Sequence, residues 1–371
     1  MNATIKIAAT EAEREAIYRL RYEVYVEEMQ IFGDVADHTR RMLRGPNDAD
    51  ARLMYATIDG ETIATMRLNL GTDAPFFQEF DATYHLDLFR PAITVEQVMI
   101  FTRFMVKQEY RGTPVAFLML CEAARISLRE GIEVALCDCQ PHLIRYYNRI
   151  GFRNYDCPVY NDPEFGIMVP MAFILGDVEY LKNNRSPVYP IFEQEPTNAE
   201  TGRRVAELLG RAAVQRLEDA EPAESKIYDV SFFEGLKEED AKAVASRGYV
   251  FDVAPDDRII RQGQTARTVF VVLSGSLEVC NEDGLCTEAH PGDVVGEPAF
   301  LLSTRRIADV YAGAKDARVL SLDEGRLQRL VNKPSRLAAM LLLNLSKVLA
   351  RKMAAMRIAS PSSASAMSMA A

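Results

Sequence analysis

At 371 residues the chain is too long for one ordinary core and suits about two or three domains. Apolar residues at 48% and charged residues at 26% are ordinary globular usage, and a formal net charge of -10 argues against a nucleic-acid sleeve, which needs a basic stripe. The opening MNATIKIAATEAEREAIYRL puts acidic residues where a secretory signal would be apolar, and no window holds the roughly 18 apolar residues of a membrane span, so a cytoplasmic protein is expected.

In chain order, residues 51–70 read as a hairpin around the turn signal Asp59-Gly60. VMIFTRFMVKQEYRG follows as a strand entering a turn, then an apolar helix from Val115 to Arg129, the strand VALCDC, the helix PHLIRYYNRI, a Gly-Phe turn and the strand MVPMAFIL. This is a mixed order of strands and helices. Arg67 and Arg103 lie in otherwise apolar strands, and buried arginines need partners; Asp48, Asp50 and Glu96 are the candidates. Such arginines serve equally as a structural ion-pair network or as a site for a carboxylate. Phe76, Phe77, Phe80 and Phe101 are candidates to line an apolar pocket.

Proline-rich text near residue 181 closes the first domain. A short helix follows with Val205, Leu208, Leu209 and Ala212 on one face, which we expect to pack in cis. Beyond DAEPAES, from Ile227, short strands and glycine turns dominate, and a final helix carries Leu341, Leu345 and Val348 on one face before the low-complexity SPSSASAMSMAA. The expected organisation is 1–182, a linker with helix at 183–226, a second domain at 227–355 and a disordered tail at 356–371. All six cysteines are expected as reduced, mostly structural thiols; the C-D-C pair lacks a zinc-knuckle spacer, and four scattered histidines show no ligand spacing, so no metal is expected.

The order of elements, with YYNRIGF and QEYRGTPVA, resembles the GNAT acyltransferase superfamily, in which an acyl thioester lies between two splayed strands. The resemblance implies Tyr147 as the acid that protonates the departing thiolate, and Arg111, Gly112 and Ala116 as a pyrophosphate loop for the donor. Pro114 replaces that loop's middle glycine and has no N–H to give. Lys107, Arg111, Arg125, Arg129, Arg145, Arg149 and Arg153 concentrate on the surrounding segments and would suit an acidic acyl carrier protein as well as ordinary solvated faces.

RYEVYVEEM, DADARLMYATIDGETIATMRL, FFQEF and IFTRFMV are similar to acyl-homoserine-lactone synthases and N-acyl amino acid synthases over nearly all of residues 15–175. That similarity implies acceptor-pocket roles for Arg21, Tyr25, Arg67 and Arg103. Where those synthases carry a glutamate three residues before the strand arginine, this chain has Ile100, which leaves Glu96 or a water chain as the base.

In the second domain, FFEGLKEEDAKAVASRGYVFDVAPDDRIIRQGQ and GDVVGEPAFLLSTRRIADV look like a cyclic-nucleotide-binding domain with its phosphate-binding cassette. The resemblance implies Gly296, Glu297, Arg306 and Ala308 as the nucleotide site. Glu297 would accept from the ribose hydroxyl, and Arg306 would pair with the single charge of the cyclic phosphate. Pro298 and Ile307 depart from the pattern. Too few residues follow the last helix for a helix-turn-helix, which disfavours a transcription factor.

The fold expected is therefore α+β: a GNAT-type mixed sheet with flanking helices, then a β-roll with terminal helices. The activity expected is transfer of an acyl group from acyl carrier protein or acyl-CoA to the amine of an amino acid or a lactone-like acceptor, under cAMP or cGMP control, with a homodimer left open. A cyclic-nucleotide-regulated protein lysine acetyltransferase and a non-catalytic nucleotide or lipid sensor are the alternatives.

Overall fold

The computed structural model describes residues 3–73, 76–215, 230–282 and 284–359. They form two compact units, 1–215 with 257–265 and 216–256 with 266–371.

The first unit contains β1 (Thr4–Ile7), α1 (Glu11–Arg21), β2 (Arg52–Ile58), β3 (Glu61–Leu70), α2 (Phe76–Tyr84), β4 (Val98–Val106), α3 (Val115–Arg129), β5 (Val134–Cys139), α4 (Ile144–Ile150), β6 (Tyr160–Asp162), β7 (Gly166–Ile174), α5 (Val178–Asn183), α6 (Tyr189–Gln194) and α7 (Ala199–Leu208). Its seven strands make one sheet in the order β1-β2-β3-β4-β5-β7-β6. All neighbours are antiparallel except β4 and β5. The expected hairpin is present: Asp59 and Gly60 have φ of 50° and 84°, the two left-handed residues that a tight two-residue turn requires.

α1 starts where Thr10 and Glu13 close a capping box, and it runs directly into a π-helical segment, Tyr22–Glu28. The wider turn changes which side chains share a face, and such segments recur at functional sites. The linker helix packs in cis as expected: Val205 and Leu209 join the core built by Phe76, Phe80, Tyr84 and Phe89. Gly202 makes this approach possible, since a Cβ there would meet the Gly176 carbonyl carbon at 2.4 Å.

β9 (Arg258–Ile260) falls in the 257–265 segment grouped with the first unit, and the second unit contains α8 (Glu238–Ala245), β8 (Tyr249–Val253), β10 (Val269–Ser274), β11 (Leu277–Cys280), β12 (Cys286–Ala289), β13 (Val294–Val295), α9 (Glu297–Leu302), β14 (Asp309–Ala312), β15 (Ala317–Leu322), α10 (Glu324–Val331) and α11 (Arg336–Ala359). Two four-stranded sheets, β13-β10-β15-β8 and β12-β11-β14-β9, make the β-roll. Leu341, Leu345 and Val348 of α11 are buried in its core with Phe232, Phe233 and Phe300.

Two expectations need correction. Cys280 and Cys286 face each other across the β11–β12 hairpin and form a disulfide, so only Cys121, Cys137, Cys139 and Cys157 are free, all buried. Adjacent strands bring directly opposed residues close enough to bond, which a separation of six positions in a linear reading does not reveal. Residues 356–359, expected in a disordered tail, belong to α11, which continues to Ala359; residues 360–371 and the DAEPAES segment lie outside the described residues.

Candidate functional site

The sheet of the first unit forks. β4 and β5 pair in parallel only from Val98↔Val134 to Ile100↔Leu136, although β4 continues to Val106 and β5 to Cys139. Backbone groups of β4 beyond Ile100 that point toward β5 are left without ladder partners there. The separation coincides with a bulge, since β4 loses register with β3 between Thr65 and Arg67, and Arg103 sits at φ 52°. Bulges re-aim side chains, and a left-handed arginine is uncommon enough to need support from its surroundings.

On one face of this fork lie three arginines and one carboxylate. Arg21, 1% exposed, donates to Asp48 Oδ2 at 2.6 Å, and Arg67 Nη1 stands 3.7 Å from Asp48 Oδ1. Arg67 also donates through Nε to Thr102 Oγ1 at 2.9 Å. The Arg103 guanidinium stacks over Phe32 at 4.4 Å and over Tyr25 at 5.3 Å, and its Nη1 is buried without a hydrogen-bond partner. Burial pushes the Arg67 guanidinium down to about 10, with Asp48 opposing this and Arg103 and Arg21 adding to it. The cluster therefore carries more positive charge than Asp48 neutralises. Of the expected acidic partners only Asp48 serves, and Arg103 is held by aromatic rings instead.

The other face holds an apolar cavity lined by Met99, Phe101, Leu120, Ala135, Phe152 and Phe192 among others. Its Ser127 hydroxyl is satisfied by the Ala123 carbonyl at 2.8 Å. Of the phenylalanines expected to form a pocket, only Phe101 lines it; Phe76 and Phe80 belong to the core on the opposite face, and the Phe77 side chain lies outside the described residues. Tyr147 packs edge-on against Phe152, which lines the cavity, with ring centroids 5.4 Å apart. Burial pushes its phenol well above the usual range, and Cys137, Cys139 and Asp138 add to the shift, so it holds its proton at neutral pH.

Glu96 is not brought to this site. It is exposed in the turn before β4, and a hydrogen bond from Thr94 holds its carboxyl below the usual range. Tyr147 instead neighbours the opposite end of β5, five residues or about 16 Å along the strand. Asp50 is exposed. Gly112 has φ 76°, and Arg111 folds onto Glu28 through two bonds of 2.6 Å. Ala116 lies in the first turn of α3, where backbone N–H groups lack helical partners. The basic residues near the fork are mostly engaged: Lys107 with Glu61, Arg125 and Arg129 with Glu122, and Arg153 with Asp177.

In the second unit Gly296 takes φ 83° at the start of α9. Glu297 and Arg306 are both buried, at 1% and 5% exposure. Arg306 donates to the carbonyls of Gly296 at 3.0 Å and Thr268 at 2.5 Å, and burial pushes it down to about 10. Glu297 Oε1 accepts from Lys352 Nζ at 2.7 Å. Ala308 is half-buried just before β14. Lys352 was absent from the sequence reading; its signal is its spacing after Leu341, Leu345 and Val348 on the inward stripe of α11.

The model of the family described as N-acyl amino acid synthase FeeM matches residues 16–172, and that of the cyclic nucleotide-binding domain matches residues 250–333. The chain joins an N-acyl amino acid synthase domain to a cyclic nucleotide-binding domain. The synthase domain is an acyltransferase, with the fork and the arginine cluster lying within its matched span and the cavity reaching past it to Phe192. Among solved structures the chain is similar to BjaI, a CoA-dependent acyl-homoserine lactone synthase solved with SAM and isopentyl-CoA, at 14% identity over 56% of this chain and 100% of that one, TM-score 0.41. It is similar to the Thermus thermophilus catabolite activator protein at 22% identity over 34% and 60%, TM-score 0.30. PKAR CBD2 with bound Sp-2Cl-cAMPS matches at 19% identity over 38% and 91%, TM-score 0.32. A comparison with curated proteins returned no match. Among the described residues no helix is long and apolar enough to cross a membrane, and no cluster suits a metal ion.

The synthase domain also holds a residue that sequence reasoning passed over. Asp138 is half-buried on β5 and accepts from the hydroxyls of Tyr84 at 2.5 Å and Tyr160 at 2.9 Å. The available signal was one carboxylate inside the apolar strand VALCDC.

Proposed function

We propose that the synthase domain makes amides by moving an acyl group from an acyl thioester to the amine of an amino acid or a homoserine-lactone-like acceptor. The observation that carries this reading is the fork with an apolar cavity on one face and a net-positive arginine cluster on the other. The cavity suits an acyl chain, and the cluster of Arg21, Arg67 and Arg103, walled by Tyr25, suits the acceptor's carboxylate. The thioester threads the gap, where unpaired N–H groups of β4 beyond Ile100 hold its carbonyl oxygen. Tyr147, still protonated at neutral pH, gives its proton to the departing sulfur.

The donor is acyl-CoA or an acyl carrier protein, with its phosphate arm at Gly112 and Ala116; Arg111 would have to leave Glu28 to join it. The second domain takes cAMP or cGMP as effector through Glu297 and Arg306. A ligand-free β-roll is the second reading, favoured by the internal partners that both residues already have. Calorimetry with both nucleotides separates these.

Mass spectrometry of lipid extracts from cells overproducing wild type or Tyr147→Phe tests the main reading. Acyl amides are expected from the wild type and reduced roughly hundredfold in the variant. Equal extracts from wild type and cells lacking the protein would overturn the reading.

A further inference from the structure

The residues of the fork can be sorted by face. Arg67 pairs with Thr102 in the β3–β4 ladder, and Asn69 pairs with Ile100, so these side chains share one face of the sheet. Ile100 pairs with Leu136 of β5. Two residues further along each arm, beyond the last paired position, stand Thr102 and Asp138. The same alternation puts Asp138 on the face of Arg67 and its cluster, across the mouth of the fork. Phe101, Ala135 and the cavity occupy the opposite face, where Tyr147 packs.

The two arms carry opposite unmet charge. On the β4 side Arg21 and Arg67 share the Asp48 carboxylate, and Arg103 beside them keeps a buried unpartnered nitrogen. On the β5 side Asp138 accepts phenol hydrogens from Tyr84 and Tyr160, and among the described residues it forms no ion pair. Burial raises its carboxyl above the usual range against the pull of the two phenols, and Asp162 adds to the rise. Phenols orient a carboxylate but do not neutralise it, so an arriving ammonium meets a fixed acceptor that lacks a countercharge.

Resting on amide synthesis as the function, we propose that Asp138 is the acceptor-amine residue of the site: it binds the ammonium of a dipolar amino acid whose carboxylate lies on the Arg67–Arg103 side, and takes one of its protons. The freed amine then attacks the thioester carbonyl in the gap, forming the C–N bond, and the C–S bond breaks on collapse. Tyr147 protonates the thiolate from the cavity face, and the second proton lost by the nitrogen restores the phenol. The proton on Asp138 passes to solvent, so one thioester and one ammonium give one amide, one thiol and one proton. Base and acid thus act from opposite faces of the sheet, as an open fork permits and a paired ladder would not.

The test uses the full-length protein, decanoyl-CoA and a mixture of the common amino acids, with the amino acid consumed fastest then taken for kinetics. Asp138→Asn preserves shape and is expected to lower kcat/KM for the amino acid by about a hundredfold or more, with KM for decanoyl-CoA unchanged. Tyr160→Phe removes one orienting phenol, is expected to cost several-fold in the same parameter, and serves if the first variant does not fold. Amide formation by the wild type with an undiminished acceptor kcat/KM in both variants would overturn the role of Asp138 alone. No amide from the wild type would overturn the functional reading and this role together.

Discussion

The two domains hold their charged residues in opposite ways. In the synthase domain Arg21 and Arg67 share one carboxylate, Arg103 has none, and donors remain unmet within the buried cluster. In the nucleotide-binding domain Glu297 is met by Lys352, and Arg306 is met by two carbonyls. Both arrangements surround the residues that the motifs single out. The first has room in its charge balance for an anion, whereas in the second each charge already has a partner and only Glu297 Oε2 and Arg306 Nε stay unmet. A motif therefore identifies residues, and only the partners reveal what those residues still lack.

The strongest way to break this contrast is to remove one carboxylate from each domain. Asp48→Asn leaves Arg21 and Arg67 buried with no neutralising charge, and a broken buried pair costs about 3–5 kcal/mol. Glu297→Gln is expected to cost less, about 1–3 kcal/mol, because Lys352 is 28% exposed and turns to water when released. Urea unfolding followed separately for each domain measures both. Equal losses would mean that Asp48 is no more central to its cluster than Glu297 is to its own.

A smaller effect is expected from Lys352→Met. The side chain of Lys352 donates to Oε1 of Glu297, one of the two oxygens open to a ribose hydroxyl, and it also donates to the Val294 carbonyl at 2.6 Å. Without the lysine, Glu297 is left buried and open to a hydroxyl donor. Cyclic-nucleotide affinity by calorimetry is expected to rise about tenfold, the equivalent of one charge-assisted bond no longer displaced. An unchanged constant would show that Lys352 and the ligand do not compete, and no binding by either protein would leave the β-roll as a ligand-free module.

Much of the fold was legible because its signals are local. The Asp59-Gly60 turn, the apolar run from Val115 to Arg129 and the strand Val134–Cys139 each carry their periodicity or turn chemistry in adjacent residues. Asp48 was legible as a partner because buried arginines demand one. What escaped depends on pairings between distant segments. The β11–β12 register decides that Cys280 meets Cys286, and alternation across β4 and β5 decides that Phe80 lies behind the sheet while Phe101 faces the cavity. Glu96 was drawn in by its nearness in sequence to Ile100, yet a strand separates residues by about 3.3 Å each and carries it to the wrong end. Asp138 looked like an interruption of a cysteine pair until α2 and β6 brought Tyr84 and Tyr160 to it.

The smallest effect concerns a carboxylate that is fully met and stands outside both sites. Glu13 accepts from the Tyr55 hydroxyl at 2.7 Å and from the backbone N–H groups of Ala9 at 2.8 Å and Thr10 at 2.9 Å. These bonds, that from Tyr55 first, pull its carboxyl from 4.5 to about 2. A depressed value in the folded chain means that the charged form is favoured there, so its contribution is complete above about 4.5 and is lost as pH falls toward about 2. Amide hydrogen exchange in the first turn of α1 is expected to quicken across that window in the wild type. Glu13→Gln cannot titrate, so its exchange should already be faster at neutral pH and should lack this added acid dependence. An identical acid dependence in both would assign the effect to other carboxylates. Unlike Asp48, Glu13 is bound by neutral donors at the surface, so its loss should loosen the helix start without disturbing the arginine cluster.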